Sequence, residues 1–110
     1  MVEIVVYRND EDRILGFEMS GHAKSGPYGY DLVCAACSAI SFGLVNSIIS
    51  LCKIEPIIEM NDDGGYLKMM LPNNMAEASF DKAQILLEGM LVSFQTIEKD
   101  YHQFITISEN

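Results

Sequence analysis

The sequence contains no tryptophan and three prolines, and its 7 Lys and Arg are outnumbered by 16 Asp and Glu. The formal charge of −9 argues against direct nucleic-acid binding, because phosphate contacts need clustered basic side chains. A basic protein or peptide is a more natural partner, since opposite charges steer encounter. The sequence shows no linker, low-complexity tract or internal repeat, so we expect residues 1–110 to form a single domain.

Cysteine is also scarce. The three cysteines are Cys34, Cys37 and Cys52, an odd number that does not suggest a disulfide framework. The first ten residues, MVEIVVYRND, lack the basic start and long apolar core of a secretion signal. We therefore expect a cytoplasmic protein with reduced thiols.

The stretch Leu32–Cys52 has no charged residue and is long enough to span a bilayer. Polar residues and one glycine interrupt this stretch, namely Ser38, Ser41, Gly43, Asn46, Ser47 and Ser50. Amphipathic segments elsewhere in the chain also need a packing partner. We expect a buried central helix covered on most of its faces, and no membrane span.

Hydrophobic periodicity and turn signals predict seven elements in the order β-β-α-β-β-α-β. The predicted strands are residues 2–7, 14–20, 57–60, 66–71 and 102–109, and the predicted helices are residues 32–53 and 76–99. Two predicted hairpins favour an antiparallel or mixed sheet. The predicted fold is an α+β two-layer sandwich with the sheet packed against two helices. If the first helix is also apolar on its outer side, a second copy would cover it, which predicts a homodimer.

A candidate nucleophile lies where the first predicted helix begins. Asp31 is a good N-cap, and Cys34 follows it by three residues. The amides of a first helical turn favour a negative charge on sulfur and stabilise an oxyanion. His22 precedes a glycine-containing loop that would let an imidazole approach the sulfur. Ser38, one turn after Cys34, is expected on the same side of the helix.

Other interpretations of these cysteines remain open. Cys34 and Cys37 form a C-x-x-C pair at a helix start, as in thioredoxin-like redox centres, although no strand-helix-strand crossover precedes it. A zinc site would need His22 and His102 with these thiols. Cys52 would lie about 22 Å along a straight helix from Cys37, too far to join that site. A small packing cysteine is the structural alternative.

The compound motif GHA…G-x-D-x-VCAA-x-SA resembles the ribosomal-processing cysteine protease family, Prp. It comprises Gly21-His22-Ala23, Gly29, Asp31, Val33-Cys34-Ala35-Ala36 and Ser38-Ala39. The predicted element order and the length agree with that family over nearly the whole chain. Cys37 departs from the pattern, since similar proteins typically carry an apolar residue there. That departure weakens the interpretation as a redox centre. It also adds a side reaction, because Cys37 could form a disulfide with Cys34 under oxidation.

The resemblance implies a small cytoplasmic, homodimeric protease without a cofactor or metal. Its expected substrate is a large-subunit ribosomal protein precursor, from which it removes an N-terminal extension after an apolar, aromatic stretch. The resemblance implies that Cys34 is the nucleophile and His22 the catalytic histidine. Asp31 and Ser38 are supporting candidates, and the expected substrate-binding loop contains Gly21, Gly26, Tyr28, Gly29 and Tyr30. The alternative functions are a C-x-x-C redox protein and a non-catalytic ribosome-associated binding module.

Overall fold

A computed structural model describes residues 1–22, 31–62 and 64–110 of the chain. In this part of the chain, five strands and two α-helices follow one another in the predicted order. They are β1 Val2–Arg8, β2 Ile14–Ser20, α1 Leu32–Ser47, β3 Ile57–Met60, β4 Tyr66–Met70, α2 Glu77–Tyr101 and β5 Ile105–Glu109. A π-helical turn, Ile48–Cys52, extends α1.

The strands form one mixed sheet in the order β3-β4-β2-β1-β5. Both predicted hairpins, β1–β2 and β3–β4, are antiparallel pairs, and β2 also pairs with β4 in antiparallel fashion. The strand β5 instead pairs in parallel with β1, with Val2 opposite Ile105. A parallel pair needs a long crossover, and this chain returns to β1 through α2. The predicted α+β sandwich with a mixed sheet is confirmed.

One core joins the sheet to the helices. Alternate residues of β1, namely Val2, Ile4 and Val6, are buried, as the two-residue period of a strand requires. The core face of α2 follows the predicted steps of three and four residues, with Ala83, Leu87, Met90, Leu91 and Phe94 buried. Phe17 and Phe94 are fully buried, and burial of each such side chain contributes about 1.5–3 kcal/mol.

Helix α1 buries one stripe rather than most of its faces. Its buried residues are Val33, Cys37, Ser41, Leu44 and Val45, and the π-helical turn continues the stripe with Ile48 and Cys52. On the other faces Leu32 is 71% exposed and Phe42 is 42% exposed. The prediction that most faces are covered is therefore wrong for a single copy of the chain. By length and composition Leu32–Cys52 could also cross a membrane, and 33% of that window is buried in the fold.

Smaller differences concern the ends of elements. The helix α2 continues to Tyr101, and the Phe104 N–H donates to the Tyr101 carbonyl in the turn that follows. His102 therefore lies outside β5, contrary to the predicted strand over residues 102–109. The first helix ends before Pro56, as expected. Its π-helical turn is followed by Lys53, which adopts a left-handed φ of 55°.

Candidate active site

The first turn of α1 is fixed by Asp31. Its backbone is extended, with φ −80° and ψ 102°, and its Oδ1 accepts a hydrogen bond from the Cys34 backbone nitrogen at 3.1 Å. The Asp31 carbonyl also accepts from the Ala35 nitrogen at 3.0 Å. The predicted N-cap is therefore present, and it places Cys34 where the amides of a helix start favour an anionic sulfur.

The end of β2 carries His22 towards this turn. The Gly21 N–H donates to the Gly65 carbonyl at 3.0 Å, which joins the end of β2 to the start of β4. Gly21 has a φ of +87°, and a Cβ built there would lie 2.2 Å from the Met1 carbonyl oxygen. Glycine is therefore required. The Met1 nitrogen donates to the His22 carbonyl, so the residue before β1 also holds the histidine backbone.

A carboxylate on the outer face of the sheet ties the same strands together. Glu18, on β2, accepts hydrogen bonds from the hydroxyl groups of Tyr66 and Tyr7. The hydrogen bond to Glu18, desolvation and nearby negative charge raise the pKa of Tyr66 to about 12. Because Tyr66 follows Gly65, this contact reinforces the junction from which Gly21 and His22 extend.

A cavity of about 40 Å³ lies between these two segments. Its lining residues are Val2, Met19, Gly21, His22, Cys34, Cys37, Ser38 and Gly64. A cavity of this volume accommodates a water molecule rather than a length of peptide. His22, Cys34 and Ser38 thus line one small cavity.

The two neighbouring thiols differ in their surroundings. Cys34 is half-buried, whereas Cys37 is 1% exposed. Burial, followed by the charges of Cys34 and Asp31, raises the pKa of the Cys37 thiol to about 11. Cys37 is therefore a neutral thiol at neutral pH, and Cys34 is the more accessible candidate for a nucleophile.

Cys52 lies apart from this cavity, buried in the π-helical turn at the opposite end of the helix. Within residues 1–22, 31–62 and 64–110, no group of three or more His, Cys, Asp or Glu side chains could hold a metal ion.

Several cavity residues were not identified from the sequence. Gly64, with φ +77°, comes from the β3–β4 turn, and Val2 and Met19 come from segments that the sequence predicted only as strands. The glycines of the turn signal were visible, but the sequence does not show that this turn lies beside Gly21. Four loop candidates, Gly26, Tyr28, Gly29 and Tyr30, lie outside the described residues.

Comparisons with known proteins agree along the whole chain. A family model described as cysteine protease Prp matches residues 1–106. The ribosomal processing cysteine protease Prp of Bacillus subtilis strain 168 is 41% identical over 110 residues, covering 100% of this chain and 98% of the relative. The protein of the same name from Staphylococcus aureus strain Mu50 is 40% identical over 108 residues, covering 98% of each chain.

Solved structures show the same fold. The essential ribosomal processing protease Prp from S. aureus, in complex with a covalently linked product peptide, superposes with a TM-score of 0.90 at 39% identity. The same protease in complex with a substrate peptide superposes with a TM-score of 0.83 at 38% identity. In both comparisons the match covers 100% of this chain and 100% of the other.

The mixed sheet packed against two helices is the fold of the solved Prp structures, and the family model and curated relatives make this chain an α+β cysteine protease. The extent of the sequence match makes the assignment more specific. The chain belongs to the Prp family of cysteine proteases.

Proposed function

We propose that this protease removes the N-terminal extension of a large-subunit ribosomal protein precursor, with Cys34 as nucleophile and His22 as its proton-transfer partner. The observation that carries the proposal is that His22 and Cys34 line one cavity at the start of α1. Relatives named ribosomal processing cysteine proteases at about 40% identity, and a Prp structure holding a covalently linked product peptide, support it.

The chemistry begins with the Cys34 thiolate. Its sulfur attacks the scissile carbonyl carbon, and the carbonyl oxygen becomes the anion of a tetrahedral intermediate. His22 protonates the departing amine, which leaves a thioester on Cys34. Water, activated by the same imidazole, then hydrolyses the thioester and restores the thiol. No metal or cofactor takes part in these steps.

The hydrogen bonds of the first turn restrict where the oxyanion is held. The Cys34 N–H donates to the Asp31 carboxylate and the Ala35 N–H donates to the Asp31 carbonyl. Both amides are therefore engaged in the cap. The candidate donors for the oxyanion are the Leu32 N–H at the very start of the turn and the exposed Ser38 hydroxyl, which lines the cavity.

Substrate selection rests on charge and on the loop after His22. The formal charge of −9 favours a substrate whose mature N-terminus is basic. Gly21, together with the loop candidates Gly26, Tyr28, Gly29 and Tyr30, forms the proposed peptide-binding segment. The same charge argues against direct contact with nucleic acid.

The proposed assembly is a homodimer in the cytoplasm, with the outer face of α1 covered by a second copy rather than by lipid. Leu32, Phe42, Ile49 and Leu51 are between 42% and 71% exposed on this helix and its π-helical turn. Light scattering should give about twice the chain mass of 12.3 kDa. Phe42→Glu should give a monomer, whereas Ile85→Glu, at a 77% exposed position of α2, should leave the dimer intact. A monomer mass for the unmodified protein contradicts this assembly.

Mass spectrometry of a peptide spanning the extension and the mature N-terminus tests the activity. Incubation with the unmodified protein should give one cut, just before the basic mature sequence. Cys34→Ser and His22→Ala should abolish the cut, whereas Cys37→Ala and Cys52→Ala should retain it. Loss of cleavage in Cys37→Ala, together with disulfide-reducing activity, would favour a redox protein. Binding of the ribosomal protein precursor without cleavage by any variant would favour a binding module.

A further inference from the structure

Cys37 has no part in the proposed cleavage, yet it lies beside the candidate nucleophile. It is 1% exposed and lines the same cavity as Cys34, one helical turn further along α1. Helix geometry places Cα atoms three residues apart at about 5 Å, within the roughly 4.4–6.8 Å that disulfides span. The Cα separation is therefore compatible with a disulfide, provided that the first turn of α1 tightens to bring the two Cβ atoms together.

We propose that Cys34 and Cys37 form a reversible disulfide that inactivates the protease when a peroxide oxidises Cys34. The regulatory part of this inference rests on the proposed role of Cys34 as the nucleophile. The bond itself rests on the placement of the two thiols.

The reaction balances with hydrogen peroxide as the oxidant. The Cys34 thiolate attacks one peroxide oxygen, the O–O bond breaks, and hydroxide leaves, giving a sulfenic acid on Cys34. The Cys37 sulfur then attacks the Cys34 sulfur, so that the S–S bond forms and the S–O bond breaks. The hydroxyl group leaves with the Cys37 proton as water. Two thiols lose two electrons in total, and one peroxide is reduced to two waters.

The surroundings of the two thiols set the order of these steps. Half-buried Cys34 meets the oxidant first, whereas Cys37 is enclosed by the core. Burial is the largest cause of the raised pKa of Cys37, so this thiol stays protonated and reacts only with the sulfur beside it, after Cys34 has been oxidised.

Helix geometry also makes the bond reversible. In an undistorted helix the Cβ atoms of residues three apart are about 5–6 Å from one another, and a disulfide needs about 3.5–4.5 Å. The first turn must therefore tighten when the bond forms. Disulfides that hold such strain are more easily reduced than unstrained ones. A closed Cys34–Cys37 bond would thus protect the sulfur from further oxidation and reopen with a dithiol.

The experiment treats the full chain with a small excess of hydrogen peroxide. It follows peptide cleavage, intact mass and labelling by the sulfenic-acid reagent dimedone, before and after dithiothreitol. The unmodified protein and Cys52→Ala should lose cleavage by about tenfold or more, lose two hydrogen atoms in mass, and recover with dithiothreitol. Cys37→Val, with Cys37→Ala as a second variant of smaller volume, should react with dimedone and fail to recover after prolonged oxidation.

Two results would overturn the proposed inactivation by a reversible disulfide. One is a dimedone adduct that persists in the unmodified protein, and the other is inactivation as irreversible as in Cys37→Val. If the untreated protein cuts no peptide, the proposed function fails instead. The mass and dimedone measurements still decide whether the disulfide forms in that case.

Discussion

The Asp31 carboxylate accepts a hydrogen bond from the backbone nitrogen of Cys34 at 3.1 Å. One side chain therefore both starts helix α1 and fixes the backbone of the candidate nucleophile. The same hydrogen bond engages the amide of Cys34 in the cap. The stability of the helix start and the position of Cys34, the proposed nucleophile, are thus coupled through a single residue.

Replacement of Asp31 separates capping from charge. Asp31→Ala removes the acceptor for the Cys34 amide and should lower the free energy of unfolding by about 1 kcal/mol. Asp31→Asn retains a capping oxygen and should be close to the unmodified protein in urea denaturation, because Asn and Asp cap almost equally well. Equal destabilisation by both variants would show that the carboxylate charge, rather than the cap, matters.

Two glycines should respond in opposite directions to alanine. Gly21→Ala places a Cβ against the Met1 carbonyl at a positive φ, and should cost about 2 kcal/mol or more together with most of the cleavage activity. Gly89→Ala, in the exposed interior of α2 with no atom within 4 Å of the new Cβ, should stabilise the protein by up to about 1 kcal/mol. Thermal denaturation of both variants measures these effects. A neutral Gly21→Ala would contradict the close approach.

Gln84 should be the costliest polar side chain to remove from α2. Its Oε1 accepts from the Ile14 nitrogen at 2.7 Å, and its Nε2 donates to the Ile14 carbonyl at 2.8 Å. Gln84→Met leaves both buried groups of β2 unpaired, so we expect a loss of about 2–4 kcal/mol in urea denaturation. Gln95→Met, at an exposed position of the same helix, is the matched control and should change stability little.

The loss of folding stability at acidic pH should depend on the ion pairs of Arg8. Its guanidinium hydrogen-bonds Glu88 at 2.9 Å and Glu109 at 2.8 Å, and the hydrogen bond lowers the pKa of Glu88. A lowered folded-state pKa stabilises the fold above the unfolded value of about 4.3, and this contribution is lost as the pH falls through the folded-state value. Glu88→Gln should therefore lose less stability than the unmodified protein on acidification. Parallel curves for the two proteins would contradict this assignment.

Local signals in the sequence were enough to predict the strands, both helices and the Asp31 cap. Asp31 precedes an uninterrupted apolar run, and the DDGG turn separates two alternating segments. The parallel pairing of β5 with β1 could not be predicted, because it depends on how α2 packs rather than on any residue in β5. The one-sided burial of α1 was missed for a similar reason, since its apolar residues occur on all faces.

The candidate site was predictable in part. His22 and Cys34 were singled out from the GHA and VCAA segments, but their proximity depends on long-range contacts. Gly21 must meet Gly65 and Met1, and neither contact leaves a local signal in the sequence. The contribution of Gly64 to the cavity wall follows from the same contacts and could not be predicted from its turn alone.

The pH dependence of Cys34 alkylation by iodoacetamide, measured in a Cys37→Ala, Cys52→Ala background, tests the central claim most directly. We expect the reaction to reach half of its limiting rate well below pH 8.5, roughly the value for free cysteine, and His22→Ala to shift that midpoint upwards. A midpoint at or above about 8.5 that is unchanged by His22→Ala would contradict the assignment of Cys34 and His22 as the catalytic pair.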